Sequence, residues 1–393
     1  MNRLLSILTF LALLSCGFLA RAEVVVGAER LPEYLPLLRD SRVALLSNHT
    51  GLVNGGKEHT LDMLLRNGVN VTAIFSPEHG FRGDADAGSH VKNSVDAKTG
   101  IPIASLYNGK DSSPSPETMD RFDVILCDLQ DVGVRYYTYY VTMMKLMDAA
   151  ARSGKRFIVL DRPNPVAMMV DGPVLDMSLK SGVGALPVPV AHGMTLGELA
   201  LMINGECWLP SAKKVDLTVI PCAGYTRSTR YRLPVNPSPN LKSMKAIYLY
   251  PSTCYFEGTV MSLGRGTEMP FEIYGHPSMK NAPFSFTPRS MPGAKNPPLN
   301  GRLCHGKDLR GLDEDSIIAR GVDLSYVIDA YRSMPPALQP KFFTSFFNLL
   351  IGDRRVAPMI REGKSAAEIR ALWQDDIKAF RARREPYLLY PEK

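Results

Sequence analysis

The sequence predicts an α/β protein of two domains, the first of which is built on a parallel β-sheet. Between residues 41 and 165, short apolar runs alternate with segments of helical periodicity, the pattern of a parallel sheet covered on both faces. A chain of 393 residues, 45% hydrophobic and 22% charged, has ordinary globular composition and is long enough for two cores.

The strands and helices of the first domain are predicted from the spacing of apolar residues. Two helices are marked by apolar side chains at helical spacing, the first by Leu61, Leu64 and Leu65 and the second by Tyr139, Met143, Met144, Met147 and Ala150. The methionines of the second helix are predicted to belong to the core. The predicted strands are the runs 43–46, 69–75, 103–106, 124–127 and 157–160.

Proline residues and capping motifs organise the rest of the chain. The regular alternation stops after Pro165, and later prolines indicate a crossing into a second domain. Thr195 and Glu198 form a capping box that predicts a helix to about Asn204, and Ser365 with Glu368 predicts the start of a last helix. We therefore predict a first domain of residues 23–175 and a second of 176–393.

The first 22 residues have the three parts of a secretory signal. Met1-Asn2-Arg3 is followed by apolar residues 4–19 and by Ala20-Arg21-Ala22, which predicts cleavage near Ala22 and a secreted or periplasmic protein. An alternative interpretation takes Leu13-Leu14-Ser15-Cys16 as a lipoprotein cleavage box that leaves Cys16 acylated. No later segment is long and apolar enough to predict a transmembrane helix.

Charge and cysteine content argue against several classes of protein. The net charge of +7 comes from scattered Lys and Arg residues with no basic run interleaved with aromatics, so nucleic acid is not expected as a partner. The five cysteines after the signal form no CxxC pair, so neither a zinc site nor a dense disulfide framework is indicated. Buried unpaired thiols are expected instead.

Polar residues follow each predicted strand of the first domain. Because the carboxyl ends of parallel strands lie along one edge of a sheet, these side chains are expected to converge on a pocket. The first strand is followed by Ser47-Asn48-His49-Thr50-Gly51, which lacks the glycine-rich fingerprint of a dinucleotide site. The strand ends are the segments 47–49, 76–82, 107–108, 128–131 and 161–164.

These residues leave two chemistries open. A metal site built from His49, His79, Asp128, Asp131 and His192 is one interpretation, although no fixed metal-binding spacing supports it. Carboxylates beside polar aromatic residues favour sugar chemistry instead, in which one carboxylic acid protonates the glycosidic oxygen and a second group assists water or the oxocarbenium ion.

Glu78 is the predicted general acid, because it follows an apolar strand and is flanked by Pro77, Gly80 and Phe81. Asp128 and Asp131 compete for the second role, and either of them is also placed to cap the following helix. In the second domain, loops dense in turn formers present further polar groups to the interdomain cleft. These groups are Asn240, Glu257, Arg265 and Thr267, of which Glu257 is a third candidate for the second carboxylate.

Eight motifs in order make the sequence resemble the exo-β-N-acetylmuramidase family of bacterial peptidoglycan hexosaminidases. The resemblance covers nearly the whole chain after the signal. It implies a Rossmann-like domain and a smaller α/β domain, with the active site in the cleft between them and with no metal or organic cofactor. The motifs are SNHTG (47–51), SPEHGFRG (76–83), DLQDVGVRYYTY (128–139), DRPNP (161–165), HGMTLGE (192–198), PSPN (237–240), EGT (257–259) and GRGTEMPFE (264–272).

The resemblance implies release of terminal N-acetylmuramic acid from muropeptides or disaccharides of peptidoglycan. It places the general acid at Glu78 and His79 beside it as orienting residue or proton partner. The family pattern has Asn after EGT, where this chain has Val260. The remaining residues implied for substrate binding, beyond those already named in the second domain, are Asn48, Arg82, Gln130, Arg135, Tyr136, Tyr137, Asn164 and His192.

The substrate of that family carries a lactyl ether with a carboxylate, and arginine suits the bidentate binding of a carboxylate. Arg82, Arg135 and Arg265 are therefore the predicted partners of the lactyl group. Two other functions remain open from the sequence, a periplasmic muropeptide-binding protein without turnover and a metal-dependent hydrolase. The distance between the catalytic carboxyl groups, which separates retaining from inverting enzymes, does not follow from spacing along the chain.

Overall fold

The computed structural model describes residues 23–78, 80–81, 93–106, 114–279 and 282–393. Its first domain is built on a seven-stranded sheet that contains the apolar runs of the sequence. All neighbouring strands are parallel except the edge pair β5 and β6. The strands are β1 (Val43–Ser47), β4 (Val71–Ser76), β5 (Ser94–Val95), β6 (Pro102–Ser105), β7 (Val124–Asp128), β8 (Arg156–Leu160) and β9 (Asp216–Ile220), while β2 (Leu52–Val53) and β3 (Glu58–His59) form a separate antiparallel pair.

The strand order is β5-β6-β4-β1-β7-β8-β9. Apart from the short β5, the chain builds outward from β1 through β4 and β6, then returns to the other side of β1 and continues through β7, β8 and β9. This is the order of the Rossmann fold, in which ligands bind beyond the carboxyl ends of the strands. The predicted fold class is therefore confirmed. The central strands β1 and β7 are buried along their whole length, as the continuous apolar runs predict.

The sheet extends past residue 175, where the sequence predicts the end of the first domain. β9 pairs with β8 from Asp216 to Ile220, so the first domain includes the helix and strand that follow the proline-rich segment. That segment carries no strand of the sheet because proline cannot donate to a ladder and fixes its own φ. It crosses the sheet as a long connection within one domain.

Helices cover the sheet at the expected positions. The methionine stripe of α4 is buried in the core, and the helix ends at Gly154, whose φ of 64° is the left-handed conformation that glycine adopts without strain. The capping box of Thr195 and Glu198 opens α5 as predicted. The helices of the first domain are α1 (Leu31–Tyr34), α2 (Thr60–Arg66), α3 (Pro116–Met119), α4 (Tyr139–Ser153) and α5 (Leu196–Gly205).

The second domain combines a small antiparallel sheet with helices. Its strands β10 (Ile273–His276), β11 (Phe284–Phe286) and β12 (Cys304–Asp308) are ordered β10-β12-β11. The predicted last helix is divided into α11 and α12 by a 3-10 turn at Ala371–Trp373. The helices are α6 (Met244–Thr253), α7 (Glu314–Arg320), α8 (Ser325–Ser333), α9 (Ser345–Ile351), α10 (Val356–Arg361), α11 (Ala366–Arg370) and α12 (Gln374–Arg384).

The two domains share one large hydrophobic core, and the C-terminal residues return to the first domain. Trp373 donates its indole N–H to Asp171 at 2.9 Å. The Tyr390 hydroxyl donates to Asp161 Oδ2 at 2.6 Å and accepts from the Cys222 amide at 2.9 Å. Apolar residues of both domains belong to the same buried cluster. Within the described ranges, no helix combines the length and apolar character needed to cross a membrane.

Candidate active site

A pocket of about 540 Å³ lies between the domains, beyond the carboxyl ends of β4, β6 and β7. A volume of this size is typical of sites for small ligands. We call it the interdomain pocket. The first domain lines it with Glu78, Leu106, Tyr136, Tyr137, Thr138, Tyr139, Val141, Thr142, Lys145, Gly182, Val183, Ser238, Asn240 and Leu241, and the second with Tyr250, Cys254, Glu257, Arg265, Phe271, Gly293, Ala294, Lys295, Asn296, Pro297, Phe346 and Leu350.

Glu78 lies in this pocket because β4 ends at Ser76, two residues before it. Its side chain is half-buried, and its Oε2 accepts a hydrogen bond of 2.7 Å from the hydroxyl of Thr138. Thr138 is the residue directly before α4. The predicted acid therefore sits at a strand end and is held by the start of a helix that itself lines the pocket.

Glu257 and Arg265 form the second charged group of the pocket. Arg265 donates to Glu257 Oε1 from Nη2 at 2.6 Å and from Nε at 3.2 Å. Burial alone would lower the pKa of Arg265, but the adjacent Glu257 carboxylate raises it above its usual value. The guanidinium also lies 5.2 Å from the centre of the Phe271 ring. Glu257 thus enters the pocket as the partner of a permanent cation.

Aromatic rings form much of the pocket wall. Tyr137 packs edge-on against Tyr139 with ring centres 4.6 Å apart, and Tyr250 packs likewise against Phe271 at 4.9 Å. The Tyr136 hydroxyl donates to the Tyr250 carbonyl, and the Tyr137 hydroxyl donates to the Pro237 carbonyl. The hydroxyls of these two predicted sugar contacts are therefore used in bonds within the protein, while their rings line the pocket. Rings of this kind suit the apolar faces of sugars.

Asn240 also lines the pocket, and its amide donates to the carbonyl of Gly293 at 2.8 Å. This bond supports the loop 293–297, which contributes the neighbouring part of the wall. Thr267 lies on the same side of the molecule but outside the lining, and its hydroxyl donates to the Gly264 carbonyl within a turn. Thr267, predicted as a substrate contact, is therefore a turn former outside the pocket lining.

Asp128 is not brought to the pocket. Its carboxylate is fully buried in an ion pair with Arg162, whose Nε and Nη2 donate at 2.5 and 3.0 Å. The same carboxylate lies against Gly51, where an added Cβ would be 3.0 Å from Asp128 Oδ2 and 2.3 Å from Ser47 Oγ. The space at the end of β1 and β7 is therefore filled by protein. Asp128, predicted as a candidate for the second catalytic carboxylate, thus lies outside the pocket lining.

Neighbouring polar residues of the same edge also serve the fold. Asn48 donates to the Tyr139 hydroxyl and accepts from Thr50, and Gln130 donates to the carbonyls of Asp131 and Pro163. Asp131 Oδ2 accepts from the Gly133 amide at 2.7 Å, and burial raises the pKa of Asp131 to about 7. These three predicted site residues lie behind the pocket wall and not in its lining.

Arg135 is the largest departure from the predicted substrate contacts. It is fully buried and donates to four carbonyls, of Pro173, Val188, Leu350 and Ile351, which lie in both domains. Its guanidinium is therefore taken up by the interface and does not reach the pocket. Arg135 therefore joins the two domains.

Asn164 and His192 have structural roles in the same region. Asn164 donates to the Met194 carbonyl at 2.9 Å and accepts from the Val166 amide at 2.8 Å. Burial lowers the pKa of His192 to about 3, and the charges of Arg384 and Arg135 add to this effect. His192 Nδ1 accepts from the Met194 amide at 3.2 Å, so the ring is neutral and fixed. Neither residue lines the pocket.

Three further sequence predictions have different outcomes. His79 and Arg82 lie outside the described residues. Val260, at the position where the family pattern has Asn, packs its side chain against the main hydrophobic core and lies outside the pocket lining. Its amide donates to the Phe342 carbonyl at 3.1 Å, so the substitution changes a packing position.

Four of the five residues of the alternative metal site have partners within the protein, and the fifth, His79, lies outside the described residues. The His49 ring nitrogen Nε2 lies 2.9 Å from the Asn236 carbonyl, and Asp128 and His192 have the partners given above. In the part of the chain that the structure describes, no group of three or more His, Cys, Asp or Glu side chains is arranged to hold a metal ion.

Several pocket residues were not predicted from the sequence. Thr138, Val141, Thr142 and Lys145 line the pocket from one face of α4 and the residue before it. Their spacing of three, four and seven residues is that of a single helix face. This helical spacing was visible in the sequence. Without the position of the second domain, however, this face of α4 could not be told from an ordinary solvent-exposed helix face.

The fold and the pocket define a two-domain α/β protein with a cleft between the domains that is lined by aromatic rings and carboxylates. The N-terminal domain of the exo-β-N-acetylmuramidase NamZ family matches residues 43–245, and the C-terminal domain of the same family matches residues 248–390. The chain therefore belongs to this family and is a glycoside hydrolase. The junction between the two matched domains agrees with a sheet that continues through β9.

Individual relatives agree with this placement. The chain is 38% identical over 388 residues to the peptidoglycan β-N-acetylmuramidase NamZ of Bacillus subtilis strain 168. This match covers 94% of the chain and 92% of the relative. Two crystal structures of DUF1343 family proteins from Bacteroides fragilis NCTC 9343 share the fold. The first is 53% identical to this chain with a TM-score of 0.88, and the match covers 95% of this chain and 100% of the crystallised one. The second is 29% identical with a TM-score of 0.78, and the match covers 93% of this chain and 99% of the crystallised one.

Proposed function

We propose that this enzyme releases N-acetylmuramic acid from the non-reducing end of peptidoglycan fragments, with Glu78 as the general acid. The Bacillus subtilis relative is a peptidoglycan β-N-acetylmuramidase, and this chain matches it over nearly its full length. The observation that carries the assignment of Glu78 is its place in the interdomain pocket, at the end of β4 and bonded to Thr138. A terminal sugar bound against the aromatic wall would present its glycosidic oxygen to this carboxyl group.

Glu257 is the proposed second carboxylate. It is the other acidic side chain among the described residues that line the pocket, and it is bound by a guanidinium. A carboxylate paired with arginine acts as an anion, which suits activation of water or stabilisation of the oxocarbenium ion.

The assignment is tested with a chromogenic β-muramide and with a disaccharide that has N-acetylmuramic acid at its non-reducing end. The substitution Glu78→Gln keeps the shape and the Thr138 contact but removes the acid, so kcat is expected to fall by about 10²–10⁴-fold or more on the disaccharide. The exposed Glu117 of α3 provides the matched control, and Glu117→Gln is expected to keep wild-type kcat. Full activity of Glu78→Gln would overturn the assignment.

A chromogenic leaving group needs little protonation, so the two substrates separate the roles of the carboxyl groups. Glu78→Gln is expected to lose less activity on the chromogenic muramide than on the disaccharide, whereas Glu257→Gln is expected to lose activity on both. Following the anomeric configuration of the first product by NMR then distinguishes a retaining from an inverting reaction. Equal losses for Glu78→Gln on both substrates would contradict its role as acid.

We also propose that the first 22 residues direct export, as the composition of that segment predicts. An enzyme acting on peptidoglycan fragments would then reach the compartment that contains them. Intact mass measurement of the protein from a fractionated native host tests this, because cleavage after Ala22 and acylation at Cys16 give different masses. Recovery of the uncleaved chain from the cytoplasm would contradict export.

A further inference from the structure

Phe271, one of the aromatic residues of the interdomain pocket, has an unusual backbone conformation. Its φ is 66°, in the left-handed region that bulky side chains rarely adopt, and its side chain is buried. The other non-glycine residues with positive φ in the described ranges lie outside the pocket lining. A strained backbone at a binding pocket indicates that the position of the side chain matters there.

Two hydrogen bonds hold the backbone of Phe271 in this conformation. Its amide donates to the Leu263 carbonyl at 2.8 Å, and its carbonyl accepts from the buried Thr253 hydroxyl at 3.1 Å. The first of these bonds closes the loop 263–271, which contains Arg265. The surrounding structure therefore fixes Phe271 at the end of the loop that carries the pocket arginine.

The Phe271 ring supplies a fixed surface for that arginine. Tyr250 packs edge-on against the ring with centres 4.9 Å apart and planes at 90°. The guanidinium carbon of Arg265 lies 5.2 Å from the ring centre, within the range of a cation–π interaction. The Arg265 side chain is only 18% exposed, so this attraction is less weakened by water than on an open surface.

Arg265 binds only one oxygen of Glu257. Its Nη2 and Nε both donate to Oε1, at 2.6 and 3.2 Å. Arginine and a carboxylate frequently form two parallel bonds instead, one to each oxygen. Within the part of the chain that the structure describes, Oε2 of Glu257 accepts no hydrogen bond, and the side chain is 25% exposed in the pocket lining. Oε2 is therefore the oxygen that remains available to a ligand.

We propose that Phe271 is a positioning residue that keeps Arg265 on Oε1 of Glu257 and so leaves Oε2 for the reaction. This inference rests on the proposed function, in which Glu257 is the second carboxylate. Without the ring, the guanidinium is free to turn and to bond both oxygens. A carboxylate bonded at both oxygens gives less assistance to water or to the oxocarbenium ion, so the reaction slows although the charges are all retained.

The ring could instead be a simple sugar contact, and a double-mutant cycle separates the two roles. We compare kcat on a chromogenic β-muramide for the wild type, Phe271→Leu, Arg265→Gln and the double variant, each corrected for the folded fraction by urea unfolding. A residue that acts through Arg265 is expected to lower kcat by about 2- to 30-fold, with a smaller change in KM. In the Arg265→Gln background, Phe271→Leu is expected to cause little further loss.

Further variants control for the loss of an aromatic ring from the wall. Phe346 of α9 also lines the pocket, and among the described contacts its ring does not meet Arg265. Phe346→Leu is therefore expected to change kcat by the same factor with and without Arg265→Gln. Phe271→Tyr keeps the aromatic face and is expected to retain most of kcat, while Phe271→Met provides a second, more flexible replacement.

Two results would overturn the inference. One is an equal loss of kcat for Phe271→Leu in both backgrounds, which is the behaviour of a direct sugar contact. The other is wild-type kcat in both Phe271→Leu and Phe271→Met.

A crystal structure of Phe271→Leu tests the positioning without turnover, because Arg265 is expected to bond both oxygens of Glu257 in this variant. If the wild type cleaves no muramide but Arg265 moves in this way, the proposed hydrolysis is wrong and the positioning role of Phe271 stands. If the wild type cleaves muramides and Arg265 stays on Oε1 alone, the hydrolysis stands and the inference fails.

Discussion

The substitution Asp128→Asn removes one charge from a buried ion pair and leaves its partner, Arg162, in the interior. The sequence favours Asp128 as a catalytic carboxylate, whereas the structure places it in the space that closes the end of β1 and β7. The two roles predict opposite results, because loss of a catalytic group reduces turnover and loss of a buried counterion reduces stability.

The size of the effect follows from the contacts of the pair. Arg162 donates to both carboxylate oxygens of Asp128 and from Nη2 to the Leu52 carbonyl at 3.0 Å, and the two side chains are 1% and 0% exposed. Removing one partner of a buried pair costs about 3–5 kcal/mol, since the remaining charge has no access to water. In a domain of this size, that loss corresponds to a fall in Tm of roughly 6–20 °C.

The assay combines urea unfolding of each variant with kcat measured on the folded fraction. Asp128→Asn is expected to lower the free energy of unfolding and to keep kcat within a few-fold of the wild type. Asp123→Asn is the matched control, because Asp123 pairs with Arg42 on the surface, where both side chains are more than 40% exposed. An exposed pair of this kind contributes about 1 kcal/mol or less.

A variant Asp128→Asn with wild-type stability and a kcat reduced by orders of magnitude would refute the structural role. The double variant Asp128→Leu with Arg162→Met provides a second check. Replacing both charges by apolar side chains removes the uncompensated guanidinium, so the double variant is expected to be more stable than Asp128→Asn alone.

Two more predictions concern buried polar groups. Burial raises the pKa of Asp131 to about 7, so the folded protein keeps a proton that the unfolded chain releases near pH 3.8. The contribution of this proton to the free energy of unfolding is full below about pH 4 and is lost by about pH 7. The free energy of unfolding therefore falls by about 4 kcal/mol across this pH range. In urea unfolding, Asp131→Asn is therefore expected to gain stability relative to wild type between pH 5 and pH 8, and a pH-independent difference would contradict this. Tyr390→Phe removes the hydroxyl that bonds both Asp161 and the Cys222 amide, so its free energy of unfolding is expected to fall by about 1–3 kcal/mol while kcat stays unchanged. Tyr387 is partly exposed and bonds only Glu206, so the control variant Tyr387→Phe is expected to lose less stability.

The regular parts of the fold were readable from local sequence. The runs that became β1, β7 and β8 are apolar without interruption because both of their faces are buried, and this property depends on composition alone. The capping box at Thr195 likewise depends on residues three positions apart. The continuation of the sheet past residue 175 was not readable from the sequence, because proline-rich spacing resembles a linker and the pairing of β9 with β8 is a long-range contact.

The candidate site was predicted in part. Glu78 is more than 150 residues from Asn240, Glu257 and Arg265 in the sequence, and the structure brings all four to one pocket. Asp128 and Arg135 have equally reactive side chains at equally suitable positions along the chain. Their partners, Arg162 and four carbonyls, are set by the tertiary structure, so local pattern did not separate them from pocket residues.

The sequence by itself determined the α/β class, the parallel sheet and the place of Glu78 at a strand end, since each depends on hydrophobic pattern and on residues close in the chain. The tertiary structure decided which polar residues of that sheet edge face the interdomain pocket and which are buried as partners of one another. Packing against the second domain makes that choice, because a side chain with no access to water must be bonded within the protein while one that lines a cavity remains available to a substrate.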